Sequence, residues 1–154
     1  MYDRTVTVFS YYENPEAEDA YWYPHVLSNV DLNIDRGAII KKYGSDTADN
    51  AQLYILYGVN QSGQKVIADK DGNAIPWLSP KEWQKQASDQ LPETLTFSPE
   101  SDFFWEGEWE GGVVADSNYR GGFYQYMNQN EDNVFKITTV GQYNLIPHFE
   151  ILAK

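Results

Sequence analysis

The sequence contains no cysteine, only two histidines and no long apolar run. Without thiols the protein cannot form disulfides, use a cysteine nucleophile or bind zinc or an iron–sulfur cluster through cysteine. Two histidines, His25 and His148, are too few for a three-histidine metal site. No stretch approaches the roughly 18 apolar residues of a membrane span. These absences predict a soluble protein that lacks the commonest metal and redox centres.

Positive charge is also scarce. The 154 residues include 11 Lys or Arg against 23 Asp or Glu, which gives a net charge of −12. A protein that grips nucleic-acid phosphates needs clustered Lys and Arg, so a basic DNA-binding groove is excluded. Charged side chains throughout the first twenty residues predict no signal peptide and a start in the cytoplasm. The length is that of one domain, residues 1–154.

Most of the chain favours strands. β-Branched and aromatic residues predict strands at residues 5–12, 21–30, 53–57, 65–68, 95–97, 134–140 and 147–152. The continuous apolar run 53–57 predicts a strand buried on both faces, with residues 65–68 paired back on it as a hairpin. A turn near Gly141 separates the last two strands, and residues 123–127 are open to a strand or a helical turn. This pattern predicts an all-β barrel or sandwich with long loops.

One short helix interrupts the strands. Ser79 suits the cap, Pro80 the first helical position and Glu82 the capping box. Just before it, Asp69, Asp71 and Asn73 are spaced like the first three calcium ligands of an EF-hand. However, Gly72 precedes the third ligand position instead of following it, and Pro80 stands at the twelfth position, where an EF-hand has glutamate. An Asp-Gly hairpin turn is the simpler interpretation of this segment.

Carboxylates are concentrated in one segment that contains no basic residue. Its acids are Glu100, Asp102, Glu106, Glu108 and Glu110. With Trp105 and Trp109 they resemble a sugar site in composition, which keeps open a carbohydrate-binding or glycan-cleaving β-domain. In a strand, however, alternate glutamates share one face and do not place an acid and a base across a bond. The other interpretation is an acidic loop or interface, and no constellation supports any other enzyme.

The 5 Trp, 12 Tyr and 7 Phe exceed what a compact core of this size needs, so they predict an interaction surface as well as a packed barrel.

Four segments carry a resemblance to a known family. They are Tyr2–Phe9, Tyr21–Asp31 with its YWYPHVLSNVD sequence, Phe97–Gly107, and the closing pair of strands Val134–Val140 and Pro147–Ile151. Together they cover about half of the chain and resemble the initial, second, middle and closing segments of head-closure proteins. These proteins, also called stopper, head-tail connector or minor capsid proteins, are found in the neck of long-tailed bacteriophages.

The resemblance implies an all-β fold, a small β-barrel with long loops and one short helix, and no catalytic residue or cofactor. It implies a virion protein that forms a homo-oligomeric ring between the portal or adaptor and the tail. The ring would close the head, retain packaged DNA and dock a tail terminator or other tail protein. Double-stranded DNA would pass through its channel without specific binding, and no membrane is involved.

This resemblance suggests a role for the unusual charges. Carboxylates repel phosphates, so an acidic lumen would let a duplex slide. We therefore expect Glu100, Asp102, Glu106, Glu108 and Glu110 at the lumen or at a subunit interface. The loops at residues 41–50 and 100–120 are candidates for lining the channel, which adds Lys41 and Lys42 to the channel or interface candidates.

Overall fold

A computed structural model describes residues 1–34 and 50–154 and confirms the all-β class. The described residues contain two short α-helices, α1 (Pro80–Gln84) and α2 (Phe123–Asn130). Their strands are β1 (Arg4–Asn14), β2 (Asp19–Ile34), β3 (Ala51–Leu56), β4 (Gly58–Val59), β5 (Lys65–Ala68), β6 (Ala74–Pro76), β7 (Phe103–Trp105), β8 (Val114–Ala115), β9 (Val134–Tyr143) and β10 (His148–Ala153). Two single 3-10 turns, Leu91–Glu93 and Asp116–Asn118, complete the set.

Six antiparallel strands close a small barrel. Their order is β1-β7-β9-β10-β3-β2, and the pairing of β2 with β1 closes the circle. The long strand β2 has two neighbours in the barrel. Its first part pairs with β1, and its last residues, 31–34, pair with β3. Strand β8 adds to β2 at Tyr21 and Trp22. Strands β4, β5 and β6 form a separate three-stranded sheet.

The barrel interior is filled by alternate residues of each strand. In β3 the side chains of Ala51, Leu53 and Ile55 are buried in the core. The residues between them face outward, and Leu56 is 45% exposed. The expectation that this apolar run is buried on both faces is therefore wrong. The run is apolar because its outward residues form part of a surface patch, while its inward residues form the core.

Strand β1, unlike β3, is buried on both faces. Val6 and Val8 point into the barrel, whereas Phe9 points outward into a second cluster of apolar residues. Thr7 is also fully buried, and its hydroxyl donates to the carbonyl oxygen of Gly107 at 2.8 Å. A later segment of the chain therefore covers the outer face of β1, which explains why neither face of this strand has a polar sequence.

The helix predicted after Ser79 is present. Helix α1 begins at Pro80, and the Ser79 hydroxyl donates to the Glu82 carboxylate at 2.8 Å instead of accepting from a backbone N–H. Trp83 anchors the helix because its ring is fully buried between Tyr12 and Tyr23. The segment left open between strand and helical turn at residues 123–127 is the start of helix α2.

Three local predictions are wrong. Residues 65–68 pair with Gly58–Val59 and not with residues 53–57. Residues 95–97 form no strand, since Leu95 makes only an isolated bridge with Trp77 while its side chain fills the barrel. Gly141 lies within β9, and the turn comes later, at residues 144–147. In each case the pairing of backbone groups, and not local propensity alone, decided where the strand or turn lies.

Candidate functional site

Asp102 is not a surface acid. Its side chain is 1% exposed, and its two oxygens accept from the backbone N–H groups of Tyr11 at 2.9 Å and Ser98 at 2.8 Å. Burial raises the pKa of Asp102 to about 7, while these hydrogen bonds and one from Ser10 act in the opposite direction. The carboxyl ties β1 to the turn before β7. The placement of Asp102 at a lumen or interface is therefore wrong.

Two of the other acids have basic partners that are distant in the sequence. Glu106 forms an ion pair with Arg4 and accepts from the Asn133 amide at 2.8 Å. Glu108 lies 3.6 Å from the ammonium of Lys70. The segment has no base in its own sequence because its partners come from β1 and from the hairpin between β5 and β6. Its charge is partly compensated in the folded protein.

Glu100 and Glu110 remain as exposed acids, and neither has an ion pair within the described residues. The backbone N–H of Glu100 donates to the carbonyl of Ile137 at 2.8 Å, so this residue is held at the surface next to β9. Lys41 and Lys42 lie outside the described residues. Of the seven predicted channel or interface residues, Glu100, Glu108 and Glu110 are thus the ones that the structure leaves exposed.

The side chains of Trp105 and Trp109, the two tryptophans of the acidic segment, pack against other residues of the same chain. Each belongs to a Trp-Glu-Gly sequence and folds back over the glycine two residues later. A Cβ atom on Gly107 would overlap the Trp105 ring, and one on Gly111 would lie 2.9 Å from the Trp109 ring. Trp109 also packs edge-on against Phe9, with the ring centroids 5.7 Å apart. The repeated Trp-Glu-Gly was the sequence signal for this packing.

A covering segment, residues 106–130, lies over the outer face of β1 and β7. Phe123 of α2 is fully buried against Phe9 and Phe103. Asp116 holds the segment in place, because one of its oxygens accepts from both the Trp22 indole and the Phe123 backbone N–H at 2.8 Å. We call the β1 and β7 side of the barrel, together with this segment, the covered wall.

The opposite side of the barrel, made by β3, β10 and the end of β9, has no such cover in the described part of the chain. We call it the bare wall. Two cross-strand rows lie on it, because His148 pairs with both Leu56 and Tyr143, and Glu150 pairs with both Tyr54 and Gly141. All of these outward side chains are partly or largely exposed. The bare wall therefore presents aromatic and aliphatic side chains to solvent.

The bare wall ends in Tyr143, the last residue of β9, and the turn at residues 144–147. We call residues 143–147 the hairpin tip. Leu145 is 98% exposed and Ile146 is 67% exposed. The tip is nevertheless held in place: the Tyr57 hydroxyl lies 2.7 Å from Asn144 Oδ1 and 3.0 Å from the Tyr143 carbonyl oxygen. The Tyr143 ring also stacks on His148, with the ring centroids 5.0 Å apart. Two apolar side chains are thus presented on an ordered support.

The charge distribution separates this region from the rest of the molecule, although Glu150 lies on the bare wall, 3.9 Å from the His148 ring nitrogen. Residues 50–64 and 137–149 contain no Asp, Glu, Lys or Arg, although the chain is 22% charged. The two stretches meet in the fold because β3 pairs with β10. The strand and charge patterns of the sequence did not predict this surface. The signal was available as two uncharged stretches, but only the strand pairing shows that they are neighbours.

The described residues contain no group of three or more His, Asp or Glu that could hold a metal ion. In the same residues, no helix is long and apolar enough to cross a membrane.

His25 is buried, its ring nitrogen lies 2.8 Å from the Thr94 carbonyl oxygen, and desolvation lowers its pKa. Among the described residues, the surface that departs most from an ordinary polar exterior is the bare wall with its hairpin tip, because large apolar side chains are exposed there.

The whole chain, residues 1–154, matches the model of a family of unknown function, DUF6751, and the protein belongs to that family. A search of curated proteins found no match. A search of solved structures also found no match. The function therefore has to be argued from the residues of this chain.

Proposed function

We propose that this member of the DUF6751 family is a non-enzymatic structural subunit of a ring in the neck of long-tailed bacteriophages. In this role the ring lies between the portal or adaptor and the tail, closes the head, retains the DNA and docks the tail. The resemblance of the opening strands and the closing hairpin to head-closure proteins supports the location. The small closed barrel is the fold that this resemblance implies.

The observation that carries the assembly part of the proposal is the hairpin tip. A side chain that is 98% exposed, Leu145, next to one that is 67% exposed, Ile146, gains nothing for the isolated subunit. Exposed apolar groups gathered on one surface are typical of a protein that binds another protein. A ring subunit needs such a surface, because each copy contacts its neighbours.

The exposed acids support the proposed channel. Glu100, Glu108 and Glu110 remain at the surface, and the described residues carry a large excess of acidic over basic groups. A ring that displays these carboxylates toward its lumen repels DNA phosphates and leaves the duplex free to slide. This part of the proposal is wrong if an assembled ring places all three glutamates on its outer surface, away from every neighbour.

Electron microscopy of purified virus particles tests the proposal. We expect a reconstruction of the neck to show this protein as a closed ring between the head and the tail. Absence of the protein from the particle would overturn the proposed function. No geometric observation favours the carbohydrate alternative, since both tryptophan rings pack against the chain itself. Tryptophan fluorescence titrated with a broad glycan panel would test that alternative.

A further inference from the structure

A recess of about 160 Å³ lies where the end of β3 and the middle of β2 meet strand β5 of the small sheet. Val30, Ile55 and Ile67 line its inner part and are each at most 2% exposed. Leu56 and Ala68, which are exposed, line its outer part together with three polar residues. The recess thus has an aliphatic floor and a partly polar rim, and it is open to solvent.

The polar part of the lining does not need a charged ligand. Asp69 is the acidic member, and its Oδ1 already accepts from the backbone N–H groups of Asp71 and Asn73 at 2.9 Å. The carboxylate therefore holds its own turn. The uncommitted part of the recess is the aliphatic part, which fits an apolar guest.

The recess has the size of one aliphatic side chain. A cavity of about 150 Å³ lined by aliphatic residues accepts a molecule as large as benzene. The four-carbon side chain of leucine is smaller than that. The chain itself carries such a group, because Leu145 at the hairpin tip is almost fully exposed.

We propose that Leu145 of one copy docks into this recess of a neighbouring copy. The inference rests on the proposed function, because a ring requires contacts between copies, and it names the surfaces that make them. When each copy inserts Leu145 into the next copy in the same rotational sense, the contact is heterologous and repeats until the ring closes, whereas reciprocal insertion between two copies gives a two-fold dimer.

Charge favours this region over other surfaces for a contact between two copies. Each chain has a net charge of −12, so two copies repel each other across most of their surfaces. The hairpin tip and the adjoining residues 50–64 are uncharged. Because the tip carries no carboxylate, its entry into the recess places no second negative charge next to Asp69.

Disulfide trapping tests the contact directly, because the chain has no cysteine of its own. Full-length Leu145→Cys is mixed with Ala68→Cys, and the rate of disulfide formation between the two variants is measured. The matched control replaces Ala68→Cys with Val113→Cys, an apolar position that is 48% exposed and lies in the covering segment. All three substitutions are at exposed positions, and the fold of each variant is checked by circular dichroism.

We expect the Leu145→Cys and Ala68→Cys pair to cross-link at least about tenfold faster than the control pair, because docking raises the effective concentration of the two thiols. Equal rates, or faster cross-linking of Leu145→Cys with itself, would overturn the docking. The result is independent of the virus particle. Preferred cross-linking without a ring in the neck removes the proposed function only, whereas a ring without preferred cross-linking removes only this contact.

Discussion

The covered wall and the bare wall belong to one barrel, yet the outward side chains of the first are buried and those of the second are exposed. On the covered wall, the outward residue Phe9 is fully buried beneath Phe123 and Trp109. On the bare wall, the outward residue Leu56 is 45% exposed. The strand geometry is the same, so the difference arises from the covering segment. One wall stabilises the subunit, and we propose that the other serves assembly.

The comparison predicts that truncation of a buried aromatic on the covered wall has the largest effect. Phe123→Ala removes a ring that packs between Phe9, Phe103 and Trp109. We expect the free energy of unfolding to fall by about 3–5 kcal/mol, measured by urea denaturation. The matched control is Tyr126→Ala on the same helix, where the ring is 39% exposed and the loss should be about 1 kcal/mol or less.

A similar loss in both variants would mean that α2 contributes little packing to the covered wall. The covering segment would then be a surface loop, and the contrast between the two walls would disappear.

The second prediction concerns the pH dependence that Asp102 gives to the covered wall. Its pKa is raised from an ordinary value of 3.8 to about 7, so between these values the folded state keeps a proton that the unfolded state has lost. The stabilising effect of the neutral carboxyl is full below about pH 4 and is lost as the pH rises through 7. The slope approaches about 1.4 kcal/mol per pH unit.

Urea denaturation of the wild type and of Asp102→Asn across pH 4 to 8 measures this contribution. We expect the variant to lack the part of the slope that comes from Asp102. It should also be less stable at every pH, since an amide offers only one acceptor to the two N–H groups of Tyr11 and Ser98. Identical slopes in both proteins would show that this carboxyl is ionised throughout the range.

Replacing a glycine by alanine should cost stability on the covered wall but not next to the bare wall. Gly107→Ala places a methyl group against the Trp105 ring, which must move, and we expect a loss of about 1–3 kcal/mol. The control Gly58→Ala lies next to the bare wall, where the new Cβ meets its nearest neighbour, Val66, at 3.9 Å. That is an ordinary contact, and the stability should stay within about 0.5 kcal/mol.

Thermal and urea unfolding of the two variants give the comparison. A tolerated Gly107→Ala would mean that the ring can leave the glycine without cost. The Trp-Glu-Gly packing would then not be needed for the covered wall.

The smallest effect is expected at the hairpin tip. Leu145→Asp changes a side chain that is 98% exposed, so the unfolding free energy of the isolated subunit should change by no more than about 0.5 kcal/mol. Denaturation at low protein concentration measures it. A large loss of stability would show that Leu145 packs within its own subunit and would remove the main reason to regard the bare wall as an assembly surface.

The sequence by itself determined the class of fold. The β-branched and aromatic runs predicted most strands of the barrel, and Ser79 and Pro80 predicted helix α1. These patterns are local: strand propensity and helix starts depend on residues that are neighbours in the chain. The excess of acidic residues and the absence of cysteine likewise follow from composition alone.

Only the tertiary structure decided what each surface does. Asp102 looked like one of five equivalent acids, but the pairing of β1 and β7 buries it. Arg4 of β1 and Lys70 of the turn between β5 and β6 meet Glu106 and Glu108. The same holds for the uncharged stretches 50–64 and 137–149, which become one surface through the β3–β10 pairing. Burial and ion pairing are properties of neighbours in space, and a linear sequence does not show which residues those are.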